Sequence, residues 1–491
     1  MPKYIIVTEF GELLDLACTL KYEGHDVEMY IPDHNYKKIG DGIIDKTDDW
    51  YSCIGKGYIW VFDGCSHGRL QDWLRERGEA VFGGSEQGDK LENDRQLGQK
   101  LFKAAGFHQV ESKNFKDINE AIKYVKDHSD GNTRLILKQN GDAPKSINHK
   151  AKFHDNTDLL YHLEKLKKTW NDSLYGAFDC DLMHYVKGLE VAASAFFNGK
   201  DWMRNKDGKV VGFLNFEEKK EIDGGVGETV GEMGTTFIGV TEDNKMFKDI
   251  IMRPKIKQAL EVAKFRGVFD INCIQEKETG NMVALEATCR FGIPATSYEF
   301  CAAMDNVGET IKNVAMGLPK VISIKMGIGM VLVVAAKPYP VEADLENEAT
   351  SIGEKLWILN GKEHAHRYPP LKDFTDDQKK RIHLENFYKE DGEYKVATKN
   401  GYLYTVTGFG NSISEVRDDI MKYIHDNVYV SNQKYRSDIG QRVEEHEGIS
   451  KEQSMAKKYE NKMNDMKEKH QKEIETLKGA VKEILYDGVN S

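Results

Sequence analysis

The sequence predicts a multi-domain α/β protein: an N-terminal parallel α/β domain, a central domain containing a strand hairpin, a small C-terminal α+β domain, and a terminal helix with a coiled-coil pattern. Three observations predict it. The chain has 491 residues, a length that suggests about three domains. Residues 1–107 alternate short apolar runs with helical spacing, as in a parallel sheet covered on both faces. After residue 450 the composition turns to lysine, glutamate, methionine and glutamine, with apolar residues seven apart.

In the first domain, 4–7 is an apolar strand, 13–22 has helical spacing (Leu13, Leu14, Ala17, Leu20), and 24–31 returns to a strand. Tyr58-Ile-Trp-Val-Phe-Asp63 and Ala80-Val-Phe82 repeat the pattern around a charged helix over 70–77. Ligands of such sheets bind beyond the carboxyl ends of the strands, here the turns 8–11, 63–68 and 83–88. Residues 92–106 read as one helix stopped by Gly106. Arg134-Leu-Ile-Leu-Lys138 is a strand ending in lysine, followed by a polar loop with Gly141 and Pro144. The mostly apolar stretch 182–197 is broken at Gly188. Strands over 267–275 and 282–288, joined by a charged turn containing glycine, read as a hairpin. Gly329-Met-Val-Leu-Val-Val-Ala335 opens a C-terminal strand region that runs through Tyr402-Leu-Tyr-Thr-Val-Thr407 to a helix over 412–425. In the tail, Met463, His470, Leu477 and Ile484 form one seam, and Tyr459, Met466, Glu473 and Ala480 a weaker one. A homo-oligomer through this helix is expected; the alternatives are a single solvated helix packed on its own chain and a partly disordered tail.

Composition bounds the function. Forty per cent hydrophobic residues can build real cores, and a net charge of −11 argues against nucleic-acid or anionic-membrane partners. Seven scattered cysteines with no Cys-x-x-Cys pair suit a reducing compartment. The N-terminus reads as a strand, not a signal peptide, and the longest apolar stretch, 326–336, is too short to span a bilayer. A cytoplasmic protein is expected.

The chemistry concentrates in Met282-Val-Ala-Leu-Glu-Ala-Thr-Cys-Arg-Phe-Gly-Ile-Pro294, which places Glu286, Thr288 and Arg290 at alternate positions. In a strand these project to one face. A carboxylate and a hydroxyl offer hard oxygens to Mg²⁺, and a guanidinium offers a planar fork to phosphate. The plainer alternative is an edge strand with a surface Glu–Arg pair. On the partner strand Asp270 and Asn272 share a face, so Asn272 or Asp270 is the expected second-strand ligand. Five glycines within 224–234 would let backbone N–H groups close on an anion, or would form a mobile loop. His364 and His366 are assigned no role.

Five segments stand in order: Val81-Phe-Gly-Gly-Ser85 with Leu91-Glu-Asn-Asp-Arg95, the strand ending at Lys138, Gly188-Leu-Glu190, Asp223-Gly-Gly-Val-Gly-Glu-Thr-Val-Gly-Glu-Met-Gly234 and Leu285-Glu-Ala-Thr-Cys-Arg-Phe-Gly292. In that order they resemble the ATP-grasp enzymes, and among them the glycinamide ribonucleotide synthetase family. Val331-Leu-Val-Val-Ala-Ala-Lys-Pro-Tyr-Pro340, Val406-Thr-Gly-Phe-Gly410 and Tyr435-Arg-Ser-Asp-Ile-Gly-Gln-Arg442 continue the likeness, which covers roughly 1–443. It implies an ATP-dependent carboxylate–amine ligase acting on small molecules. ATP would phosphorylate a carboxylate, and an amine would attack the acyl phosphate. ATP with Mg²⁺ or Mn²⁺ is implied, and purine biosynthesis if the family's substrate is kept. The implied domains are 1–107, an ATP-grasp domain over 108–322 with its lid at about 108–190, 323–445, and a helical tail over 449–491.

The resemblance also implies roles. Lys138 touches the phosphates and adenine, and Arg95 is a basic phosphate contact. The backbone of His184, Tyr185 and Val186 reads the adenine edge, and Glu190 holds the ribose hydroxyls. Lys219, with Lys220 beside it, lies on the catalytic face, and Arg290 faces the terminal phosphate. Glu286, Thr288 and Asn272 hold the metal.

Other positions depart from the family. The N-terminal loop, Thr8-Glu-Phe-Gly-Glu-Leu-Leu-Asp-Leu-Ala17, keeps one glycine and puts Glu9 and Glu12 where a phosphate prefers N–H donors. Thr288 replaces an asparagine, Ile293-Pro-Ala295 replaces Asp-Pro-Glu, and Asn400-Gly-Tyr402 replaces Gly-Gly-Arg. Arg290, Arg436 and Arg442 are the basic residues left to serve a phosphate. Three readings follow: a ligase with the family's substrates, a ligase of this fold on another amine or amino acid, and a non-catalytic nucleotide-binding protein that assembles through its tail.

Overall fold

Strand and helix alternate at the N-terminus because the central strands, Lys3–Val7 and Tyr58–Phe62, are buried on both faces. The computed structural model of the protein describes residues 2–140, 147–340 and 350–445, together with Ile474. Strands β1 (Lys3–Val7), β2 (Asp26–Tyr30), β3 (Asp45–Lys46), β4 (Tyr58–Phe62) and β5 (Ala80–Phe82) form a parallel sheet in the order β3-β2-β1-β4-β5. Tyr4, Ile6, Ile59 and Val61 enter the main core, while Ile5, Val7, Trp60 and Phe62 enter a smaller cluster on the other side. β3 carries no apolar signal and escapes a sequence reading. The single helix expected over 92–106 is instead two, Glu86–Asn93 and Arg95–Ala104. Asp94 adopts an extended backbone between them, and its carboxylate caps the second helix by accepting from the Leu97 N–H at 3.0 Å.

The segment expected as the lid contains a separate antiparallel sheet of β6 (Ser112–Phe115), β7 (Leu135–Gln139), β8 (His149–Lys150) and β9 (Cys180–His184), ordered β6-β9-β7-β8. Phe115, Leu135, Leu137, Cys180 and Leu182 form its own core with helices Ile118–Asp127 and Thr157–Thr169. The alternate residues Ile136, Lys138, Asp181 and Met183 therefore face away from that core. The loop containing Gly141 and Pro144 lies outside the described residues, as do the heptad seams after residue 450.

The next strands are β10 (Gly188–Asn198), β11 (Val211–Glu217), β12 (Lys220–Ile222), β13 (Val226–Thr229), β14 (Gly234–Thr241), β15 (Arg266–Glu276) and β16 (Met282–Thr288). They are followed by β17 (Gly327–Ala335), β18 (Trp357–Ile358), β19 (Ile382–Leu384), β20 (Phe387–Glu390), β21 (Glu393–Val396), β22 (Tyr402–Gly410) and β23 (Val428–Tyr429). Eight of them build one antiparallel sheet, β16-β15-β10-β11-β14-β17-β22-β19. The boundary expected at 322/323 does not interrupt it, because β14 pairs with β17 from Gly234↔Leu332 to Gly239↔Gly327. The C-terminal strands thus extend the central sheet, and helix Ile413–Asn427 packs on β17 and β22.

Glycines fix how the first sheet meets the second. Gly83 N–H donates to the Arg266 carbonyl at 2.7 Å, and a Cβ on Gly267 would come within 2.5 Å of the Gly83 oxygen. The Gly-Gly of Val81-Phe-Gly-Gly-Ser85 is therefore a close approach of two backbones. It sets the carboxyl end of the parallel sheet beside the end of β16.

Candidate active site

The floor of the site is the β15–β16 hairpin. Its register pairs Asn272 with Glu286 and Asp270 with Thr288, so these four side chains share one face. A bulge absorbs Leu285: Cys273 pairs with Ala284, then Asn272 with Glu286. The same face continues through Glu190 on β10 and through Asn215 and Glu217 on β11. Glu286 is exposed, Thr288 and Asp270 are half-buried, and Asn272 is buried. Asn215 reaches Asp270 Oδ2 at 3.4 Å, while the buried Oδ1 has no hydrogen-bond partner among the described residues. Carboxylate, amide and hydroxyl oxygens on one surface fit a hard cation such as Mg²⁺.

The lid supplies the opposing side. Lys138 lies beside Asp181, which accepts from Asn114 Nδ2 at 2.9 Å and stands 3.5 Å from Arg95 Nε. Burial lowers the Lys138 pKa; Glu286 and Glu190 oppose that shift, and Arg95 and Lys219 reinforce it. Lid and floor residues thus act on each other across one cleft. Lys219 Nζ is 2.8 Å from Glu190 and 3.0 Å from Glu217. Burial works against its charge, but Glu217 and Glu190 outweigh burial and hold its pKa above the ordinary lysine value. Lys220 instead donates to the Gly227 carbonyl at 3.2 Å, which leaves Lys219 as the lysine of the cleft.

Between lid and floor runs the linker 185–187. The His184 N–H donates to the Glu111 carbonyl at 2.9 Å and the Tyr185 N–H to the Arg134 carbonyl at 2.8 Å. The Tyr185 ring lies under Arg134 and Lys150. Of His184, Tyr185 and Val186, Val186 alone has an N–H without a protein partner among the described residues. Gly188 is required at the start of β10, where a Cβ would lie 2.0 Å from the Gln275 oxygen.

Two expectations change. β16 ends at Thr288, so Arg290 does not share the face of Glu286. Arg290 Nε donates to Glu92 Oε1 and the Cys289 N–H to Glu92 Oε2, both at 2.9 Å. Burial opposes the charge of Arg290, but Glu92, Cys65 and Glu12 raise its pKa, which places the guanidinium at the carboxyl end of the parallel sheet. The glycine-rich stretch 224–234, in turn, begins as the β12–β13 hairpin, clamped by the C-terminal segment. The Gly224 N–H donates to Asp438 Oδ2 at 2.7 Å, the Ser437 N–H to Asp223 at 2.9 Å, and Lys434 to Glu221 at 2.6 Å. Arg436 binds the Lys220 carbonyl and Asp438, and Arg442 lies 3.2 Å from Glu218, so both arginines serve this clamp.

The end of the cleft beyond the first and fourth strands is acidic. Glu12 is exposed yet crowded by protein, as on the floor of a cleft; burial first and Glu9 next raise its pKa, and Arg290 partly offsets them. Asp63 follows β4 and is 5% exposed, and neither carboxylate oxygen has a hydrogen-bond partner among the described residues. Burial and then Glu12 push its pKa up to about 7. A folded-state pKa above the unfolded value of about 3.9 means that this group favours folding at low pH, and that the benefit is lost as pH rises to about 7. Asp63→Asn is therefore expected to melt higher than the parent at pH 8, with the gain shrinking toward pH 4. A gain that is constant with pH in calorimetric melting would contradict the buried acid.

Asp181, Glu217, Asp63 and the clamping role of Glu92 were not picked out from the sequence. Asp181 has a signal in hindsight: it alternates with the apolar Cys180 and Leu182 and is the one charged residue in the buried run Cys180–Met183.

No family model matches the chain. It is 23% identical over 390 residues to a phosphoribosylamine–glycine ligase of Helicobacter pylori, covering 76% of this chain and 79% of that one. Among solved structures, phosphoribosylamine–glycine ligase from Thermotoga maritima superposes with a TM-score of 0.61 at 16% identity, over 89% of this chain and all of that one. The biotin carboxylase domain of 2-oxoglutarate carboxylase from Hydrogenobacter thermophilus gives 0.57 at 12% identity, over 88% and 91%. The chain is thus similar over most of its length to phosphoribosylamine–glycine ligases and shares the fold of these solved structures.

Proposed function

We propose that the protein is an ATP-dependent carboxylate–amine ligase that activates a carboxylate as an acyl phosphate and releases ADP and phosphate. The observation that carries this reading is the oxygen-lined face of Asn272, Glu286, Thr288 and Asp270, set across one cleft from Lys138. Magnesium or manganese held by Glu286, Asn272 and Thr288 would supply charge neutralisation for the transferred phosphoryl group. The Hydrogenobacter neighbour was solved with MgADP, which supports a magnesium nucleotide as the class of ligand. Lys138 and Arg95 bring positive charge from the lid side, and the Val186 N–H is available to the adenine edge. Glu190 has one oxygen on Lys219 and a second for a ribose hydroxyl.

The acceptor end favours an amine other than a phosphate ester. Glu12 and Asp63 stand there with Arg290 as the opposing cation, and Arg290 is already bonded to Glu92. An ammonium group suits the exposed Glu12 carboxylate at this end. The test is ADP release with ATP, Mg²⁺ and a panel of carboxylates and amines that includes glycine with phosphoribosylamine. ADP release that needs both substrates is expected, with a cationic amine preferred. Glu12→Gln should raise the KM for the amine by about tenfold, the loss of one charge-assisted contact, and leave the ATP affinity unchanged. Rapid turnover of phosphoribosylamine at low concentration would restore the family's own substrate.

A further inference from the structure

A second cluster of chemically able side chains lies behind the cleft, where the N-terminal helix, the turn after β16 and the C-terminal strands meet. Asp15 comes from helix Leu14–Tyr22, Cys301 from the short helix Ser297–Ala302, and His383 from β19. Their ligand atoms lie in the interior, all within 4.8 Å of one another, and the Asp15 Oδ2 to Cys301 Sγ distance is 3.8 Å. Glu385, two residues beyond His383, is 4% exposed and faces the same Ser297 hydroxyl as Asp15.

Proton counting shows what the cluster lacks. The Ser297 hydroxyl has one proton and stands 2.7 Å from Asp15 Oδ2 and 3.4 Å from Glu385 Oε1. Thr405 donates to Ser297, and His383 is engaged with Thr407, so neither relieves the second acid. Asp15 also accepts from the Leu16 N–H, but Glu385 Oε2 is buried with no partner. Neither acid forms an ion pair with lysine or arginine among the described residues. Two buried carboxylates sharing one hydroxyl are relieved either by a proton kept on one of them or by a positive charge set between them.

We propose that this cluster is a structural zinc site, with Asp15, Cys301 and His383 as its protein ligands and the buried Glu385 carboxylate beside them. Oxygen, sulfur and imidazole nitrogen together suit a borderline-soft, tetrahedral dication and not the Mg²⁺ expected at the oxygen-only face. The ion would join the first domain to the central sheet three residues from Glu12, and so fix one wall of the cleft. The inference does not depend on the ligase reading.

The test uses the full chain with Zn²⁺ and Co²⁺ as probes. One tightly held zinc per chain is expected after desalting, with a thiolate-to-cobalt charge-transfer band when Co²⁺ replaces it. Cys301→Ser should lose that band and weaken zinc binding about tenfold or more, as metal sites do when a supporting contact is removed. Glu286→Gln should change neither. A chelator should lower the melting temperature of the parent, an experiment that needs no variant to fold. Stoichiometric zinc that survives Cys301→Ser but is lost in Glu286→Gln would assign the ion to the nucleotide site and overturn the proposal. Absence of zinc binding in the parent would overturn it too.

Discussion

Glu286→Gln is expected to fold like the parent and lose nearly all turnover. Glu286 is exposed on a strand whose packing comes from Met282, Val283, Ala284 and Ala287, so an isosteric amide should leave stability within about 0.5 kcal/mol. What it removes is the only exposed carboxylate of the oxygen face, opposite Asn272 and in electrostatic reach of Lys138 and Lys219. Loss of one preorganised electrostatic partner of a phosphoryl transition state costs roughly 10²–10³-fold in turnover. ADP release at saturating substrate, measured beside a thermal melt, separates the two effects. Full activity in the variant would make Glu286 a surface residue and remove the basis of the site.

Lys138→Ala is expected to weaken ATP binding by about tenfold or more, since a charge-assisted contact contributes roughly 1.5–3 kcal/mol. The lid should survive the change, because Lys138 points away from the core formed by Leu135, Leu137, Leu182 and Phe115. Calorimetric titration with MgATP reads the effect directly. Equal affinity in variant and parent would take Lys138 out of the nucleotide site.

What could be read in advance followed the period of the backbone. Strands with two buried faces, such as β4, announce themselves as unbroken apolar runs, and the β15–β16 hairpin is framed by its turn. Glu286, Thr288, Asn272 and Asp270 were legible together because alternation alone places them on one face. Arg290 was not, because the same alternation cannot show that the strand stops two residues earlier and that Glu92 takes the Cys289 N–H. Lys219 was legible as a position, but its ion pairs with Glu190 and Glu217 depend on which strands are neighbours. The clamp on the β12–β13 hairpin joins residues more than two hundred positions apart, and no local pattern carries that information. Asp94 was hidden in a continuous polar stretch, where a capping carboxylate and a helical one look alike.

The pairing of β14 with β17 has a consequence for any attempt to divide the chain. A fragment ending near residue 322 would keep every residue proposed to touch the nucleotide, yet it would leave β14 as an open edge. The six positions from Gly234 to Gly239 that now pair with β17 would present bare amides and carbonyls beside buried side chains such as Phe237 and Ile238. Such an edge is a template for other chains, and the predictable product is self-associating aggregate instead of a minimal enzyme. The C-terminal strands are thus the preceding strands' own protection against aggregation, a service independent of any part they take in recognising substrate.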